Sequence, residues 1–136
     1  GHGTRLVADR VKDTEVLLLE TNHDVEMLNN DPRRSWALKQ RIMSRHGHLS
    51  NEAAAEFLEQ LAHNRLEHIF CAHLSRDCNT PELAETEITQ KLVQIGLPKV
   101  TVHLTSQSSL SPTLEIFDNK TEILTEKTVA TPSIAL

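Results

Sequence analysis

Three short apolar runs constrain this chain more than anything else in it: Val16–Leu19, His68–Ala72 and Val100–Leu104. Each is too short for a helix of ordinary length, and helical patterns separate them. The first is a continuous run, which suits a strand buried on both faces, the second reads as another buried strand, and the third alternates. The strand–helix–strand–helix–strand rhythm predicts α/β layering with the runs as neighbours in one sheet. A histidine or a polar cluster closes each of the first two: Glu20-Thr21-Asn22-His23-Asp24 after the first, His73 and the loop to Asn79 after the second. The ends of strands in an α/β protein hold side chains rigidly while facing a crevice, so His73 is the residue most exposed to a functional reading.

The intervening segments read as helices with their own signals. Thr4 to about Lys12 places Leu6, Val7 and Val11 on one face. Val25–Asn29 makes a short helix, broken by Asn29-Asn30-Asp31. Pro32 suits the first turn of the next helix, which runs through Trp36, Leu38, Ile42 and Met43 to about Arg45. Ser50 is an N-cap for a helix whose stripe is Ala54, Phe57, Leu58 and Leu61. Thr80, Pro81 and Glu82 cap, start and charge the last helix, with Ala84, Ile88, Leu92 and Ile95 inward and Gly96 as its stop. Leu114–Ile116 predicts a short edge strand. From Asp118 the composition turns to Thr, Glu and Lys, and residues 118–136 read as a flexible tail beyond a domain of residues 1–117.

Composition narrows the function. A net charge of -5 over 136 residues counts against binding nucleic acid by bulk charge, and 3% aromatic content against a base-stacking platform. No run of about 20 apolar residues is present to span a membrane. The chain opens on Gly1 with neither an initiator Met nor a signal peptide. Two cysteines are too few for a disulfide framework, which favours a reducing cytoplasm. Their spacing matches no common zinc finger.

Chemistry concentrates in three polar loops, each centred on a histidine: Asn22-His23-Asp24, Gly47-His48-Leu49-Ser50-Asn51 and His73–Asn79. Neutral imidazole with carboxylate is a common ligand set for zinc and related metals. Asp24 suits either direct ligation or the orientation of a histidine. A lone loop histidine is ordinarily a surface group or a cap, and His46, His63, His68 and His103 read as structural or solvent-facing. Arg33, Arg34, Lys39, Arg41 and Arg45 make a basic segment that matters only beside a phosphate-bearing substrate.

Three ordered segments together resemble one family. Leu19-Glu20-Thr21-Asn22-His23-Asp24-Val25-Glu26-Met27-Leu28, Gly47-His48-Leu49-Ser50-Asn51, and Ala72-His73-Leu74-Ser75 with Asn79-Thr80-Pro81-Glu82-Leu83-Ala84 resemble the YycJ/WalJ-like branch of the metallo-β-lactamase-fold hydrolases. The resemblance covers about Gly1 to Leu104. It implies the C-terminal half of an αββα sandwich, with a mixed sheet, flanking helices and a dinuclear site of zinc or manganese between the half-domains. It implies a cytoplasmic phosphodiesterase or exonuclease in the intact enzyme. His73 and His23 would hold metal, His48 and Asp24 would serve catalysis, and Arg41, Arg45 and Asn79 would seat substrate phosphate. Partners would be a nucleic acid or cyclic phosphate and the N-terminal half of the same domain. The family's His-x-His-x-Asp-His signature is absent from the chain, so the chain by itself is expected to be inactive. Cys78 stands where the family pattern usually shows Asn. The alternative reading is a non-catalytic half-domain that forms a homodimer.

Overall fold

The computed structural model describes residues 1–61, 63–117 and 120–124. Helix α1 spans Arg5–Val11, followed by strand β1 (Val16–Glu20) and helices α2 (Val25–Asn30), α3 (Trp36–Met43) and α4 (Asn51–Leu61). Strand β2 (His68–Ala72), helix α5 (Pro81–Gln94) and strand β3 (Thr101–Leu104) come next, and strands β4 (Thr113–Phe117) and β5 (Lys120–Leu124) close the described chain.

Strands β1, β2 and β3 form one parallel sheet in that order. The register aligns Leu17 with Ile69 and Val102, and Leu19 with Cys71 and Leu104. Alternate residues of a strand share a face, so this register stacks the apolar side chains of all three strands in rows. Leu17, Leu19, Ile69 and Cys71 are buried in one cluster with Ala54, Leu58 and Leu61 of α4 and Ile88 and Leu92 of α5. The stripes expected for α4 and α5 are therefore the ones that cover the sheet. Ile69, Leu58 and Ile88 are fully buried. Burying each such side chain stabilises the fold by about 1.5–3 kcal/mol.

The helix signals act as expected at most ends. The Thr80 hydroxyl accepts from the Leu83 N–H with Pro81 at the first helical position. The Ser50 hydroxyl accepts from the Ala53 N–H at 3.1 Å. Gly96 takes a φ of +80° just past α5, in the left-handed region that favours glycine.

Four sequence expectations need correction. The first run is not buried on both faces: Leu18 lies on the opposite face of β1 from the buried Leu17 and Leu19 and is 70% exposed. Pro32 does not start α3. The Asp31 carboxylate accepts from the Arg33 N–H, which bends residues 31–34 into a turn, and Ser35 then caps a helix that begins at Trp36. The strand foreseen at Leu114–Ile116 does not join the edge of the main sheet but pairs antiparallel with β5. The boundary placed between residues 117 and 118 therefore falls between two paired strands, and β5 lies in the stretch read as tail. Residues 125–136 lie outside the described residues.

Two of the histidines read as structural form a buried pair: His68 Nδ1 lies 3.0 Å from His103 Nε2, and Phe70 stacks on His103 at a centroid distance of 4.5 Å. Burial, and then the neighbouring His68, push the His103 pKa below the usual 6.5. His23 shifts the same way, mainly through burial and then through the N-terminal amine. A histidine with a depressed folded pKa gives the unfolded chain more bound protons below about pH 6.5, so stability is lost as pH falls through that value. Thermal unfolding midpoints measured from about pH 7.5 down to about pH 5 should fall, with a shallower fall in His103→Asn. A flat profile for the unsubstituted chain would contradict the burial of these imidazoles.

Candidate metal centre

The ends of β1 and β2 are laced together by the backbone. The Thr21 N–H donates to the Ala72 carbonyl, Asn22 N–H to Leu49, Ser75 N–H to Asn22, Asn51 N–H to His23 and Asp24 N–H to Cys78. These bonds bring the three polar loops into contact. The Asn22 side-chain amide also donates to the His73 carbonyl at 2.7 Å. His73 needs that support, since its φ of +62° is unusual for a residue with a side chain. Gly47 is required by close approach: a Cβ there would meet the Ile42 carbonyl oxygen at 1.9 Å. That tight turn delivers His48 back toward β1.

Glu20, the last residue of β1, joins the two histidines. His48 Nδ1 and His73 Nδ1 each lie 2.7 Å from the same Glu20 Oε1. Glu20 Oε2 accepts from the Leu49 N–H at 3.2 Å. Burial acts to raise the Glu20 pKa, but the hydrogen bonds from His48, His73 and Leu49 outweigh it and hold the carboxyl below its usual value. An ionised carboxylate only accepts, so both Nδ1 atoms carry their hydrogens. In the neutral imidazoles each Nε2 lone pair is then free, which is the arrangement that fixes the tautomer of a metal-binding histidine. The ring centroids stand 4.9 Å apart. Ligand atoms from Glu20, His48 and His73 all fall within 4.8 Å of one another. Two imidazoles and a carboxylate are a donor set of the kind that holds a divalent metal.

The two histidines open onto a crevice of about 480 Å³ that His23, Arg34, Arg41 and Arg76 also line. Among the described residues its one lining carboxylate is Asp77, which is paired with Arg33 and Arg34. The side-chain and backbone hydrogen bonds from Arg33 hold the buried Asp31 far below the usual carboxylate range, and those from Arg34 and Cys78 add to the effect. The crevice is thus locally basic in an acidic chain.

His23, His48 and His73 therefore converge as the sequence predicts. His23 is buried with no partner for Nδ1 among the described residues, yet it stands outside the Glu20–His48–His73 group. Arg41 lines the crevice as expected of a phosphate-seating residue, whereas Asp24, Arg45 and Asn79 are placed elsewhere. Asp24 caps α2, its Oδ1 accepting from the Met27 N–H at 2.7 Å, and does not line the crevice. Arg45 faces a separate recess with Gly1, His2 and Met43. Asn79 is buried, its amide engaged by Asn51, Thr21 and Thr80. Glu20 is the residue the sequence reading left out of the site. Its signal was present, as the last residue of the first strand and the first letter of the Glu-x-Asn-His-Asp segment.

Fold and site define an α/β protein with a small parallel sheet and a candidate metal-binding group at its strand ends. Over 120 residues the chain is 39% identical to the exodeoxyribonuclease WalJ of Streptococcus pneumoniae strain D39, a match covering 83% of the chain and 44% of that protein. It is 40% identical over 97 residues to the exodeoxyribonuclease YycJ of Bacillus anthracis, covering 68% of the chain and 36% of that protein. The chain thus spans less than half the length of these relatives. No family model and no solved structure matches it. The chain is a partial relative of the WalJ and YycJ exodeoxyribonucleases, which belong to the metallo-β-lactamase-fold family.

Proposed function

We propose that this chain carries part of the active cleft of a metal-dependent exodeoxyribonuclease that hydrolyses phosphodiester bonds of DNA. The observation that supports this best is the pair of histidines held on one carboxylate oxygen at the mouth of a basic crevice. DNA as the substrate class comes from the printed activity of the relatives. His48 and His73 hold metal through Nε2, Glu20 orients both rings, and His23 is a further ligand through its unpartnered Nδ1. When bound, zinc or manganese lowers the pKa of a water and offsets phosphoryl charge. Arg41, which lines the same crevice and has no ion-pair partner among the described residues, seats the phosphate. The remaining ligands of a two-metal centre come from the stretch of the relatives' length that the chain does not span. Asp24, Arg45 and Asn79 serve the frame around the cleft.

A cytoplasmic site of action fits this reading. Both cysteines are free, and among the described residues no helix is long and apolar enough to cross a membrane. A self-associating half-domain without catalysis is not favoured by relatives that are named nucleases.

The test is to join the chain to the N-terminal half of pneumococcal WalJ and assay linear DNA with manganese or zinc. The fusion should degrade DNA, and His73→Ala and His48→Ala should each lower the rate by at least about 100-fold. The chain alone should show no turnover. Full activity of the His73→Ala fusion would remove His73 from the site, and robust turnover by the chain alone would refute the shared ligand set.

A further inference from the structure

Past His73 the crevice does not end. A second crevice of about 360 Å³ is lined by His73, Arg76, Asn79, Pro81 and the loop 105–108. It shares His73, Leu74, Ser75, Arg76 and Gln107 with the first. The Gln107 side chain donates to the Leu74 carbonyl at 3.4 Å, which fastens the loop after β3 to the loop that carries His73. We propose that this second crevice is a subsite for the DNA strand next to the scissile bond, with Arg76 as the cation that seats the neighbouring phosphate. The proposal deepens the nuclease reading and rests on it.

Charge supports the assignment. The chain holds 19 Asp and Glu residues, yet among the described residues no carboxylate lines the second crevice. Arg33 and Arg34 are committed to Asp31 and Asp77, whereas Arg76 is exposed and has no ion-pair or hydrogen-bond partner among the described residues. An unpaired guanidinium is suited to bidentate binding of phosphate. The Ser106 and Ser108 hydroxyls, 3.0 Å apart, stand on the facing loop as further donors. Among the described residues Phe, Trp and Tyr are missing from this lining. A cationic, hydroxyl-lined crevice suits contacts to the backbone, which carry no sequence information.

The experiment uses the whole chain without added metal, so that binding is measured apart from cleavage. Fluorescence anisotropy follows single-stranded DNA of about ten nucleotides over a salt series, with a single-phosphate dinucleoside as competitor. Arg76→Ala should weaken the longer strand about fivefold and lower its log–log salt slope by about 0.7, the share of one phosphate, while the dinucleoside is unchanged. Arg76→Lys should restore the slope. If Arg76→Ala leaves the longer strand unaffected while Arg41→Ala weakens it, the subsite is wrong and the nuclease reading survives. Equal weakening of both ligands would place Arg76 at the scissile phosphate and overturn the subsite. Absence of salt-dependent binding of any strand would overturn both.

Discussion

Replacing Glu20 by glutamine is expected to weaken zinc binding by the chain about 10- to 100-fold, the usual effect of removing a carboxylate that orients histidine ligands. The reason lies in the donor count. Glu20 Oε1 takes two imidazole N–H groups and Oε2 takes the Leu49 N–H. A glutamine offers one carbonyl oxygen and one amide. If its oxygen serves the histidines, its amide faces the Leu49 N–H, donor against donor. If it flips, the histidines lose their acceptor and each ring is free to turn or to change tautomer. Isothermal titration with zinc, with His73→Ala as the reference for loss of a ligand, measures this directly. Wild-type affinity in Glu20→Gln would show that the carboxylate has no part in holding the rings. Absence of zinc binding by the unsubstituted chain would remove the metal reading altogether.

Asn79→Ala is expected to destabilise the fold by about 3 kcal/mol, because it strands several buried partners at once. Asn79 uses its full hydrogen-bonding capacity. Its amide nitrogen donates to the Thr21 carbonyl and to Asn51 Oδ1, and its oxygen accepts from the Asn51 amide and the Thr80 N–H. It thereby ties the end of β1, the start of α4 and the start of α5. Asn79→Asp keeps the acceptor but loses both donors and sets its charge against Asn51 Oδ1 and the Thr21 carbonyl, so it should not rescue. Urea unfolding compares the three proteins. A change within about 0.5 kcal/mol in Asn79→Ala, together with lost DNA affinity, would return Asn79 to the phosphate-binding role first expected of it.

The local signals of the sequence carried far. The apolar runs located β1, β2 and β3, Thr80 and Pro81 located the start of α5, and the histidine loops located the crevice. These depend on residues within a turn or a strand of one another, so a single segment contains the information. What failed depended on distant partners. The start of α3 was misplaced because Asp31 draws Arg33 and Arg34 into a turn that Asp77, more than 40 residues on, completes. Leu18 is exposed because nothing among the described residues covers its face of β1, which no pattern inside β1 records.

By itself, then, the sequence determined which segments are strands and helices and which loops carry imidazole. Only the tertiary structure decided what those loops do. The parallel register sets Glu20 opposite Ala72 and so beside His73, and the Gly47 turn brings His48 to the same carboxylate. It likewise turned Asp24 into a helix cap and Asn79 into a buried brace. A side chain's chemistry is fixed by its residue type, but its partners are fixed by register and packing, and those arise only when segments far apart in the chain are brought together.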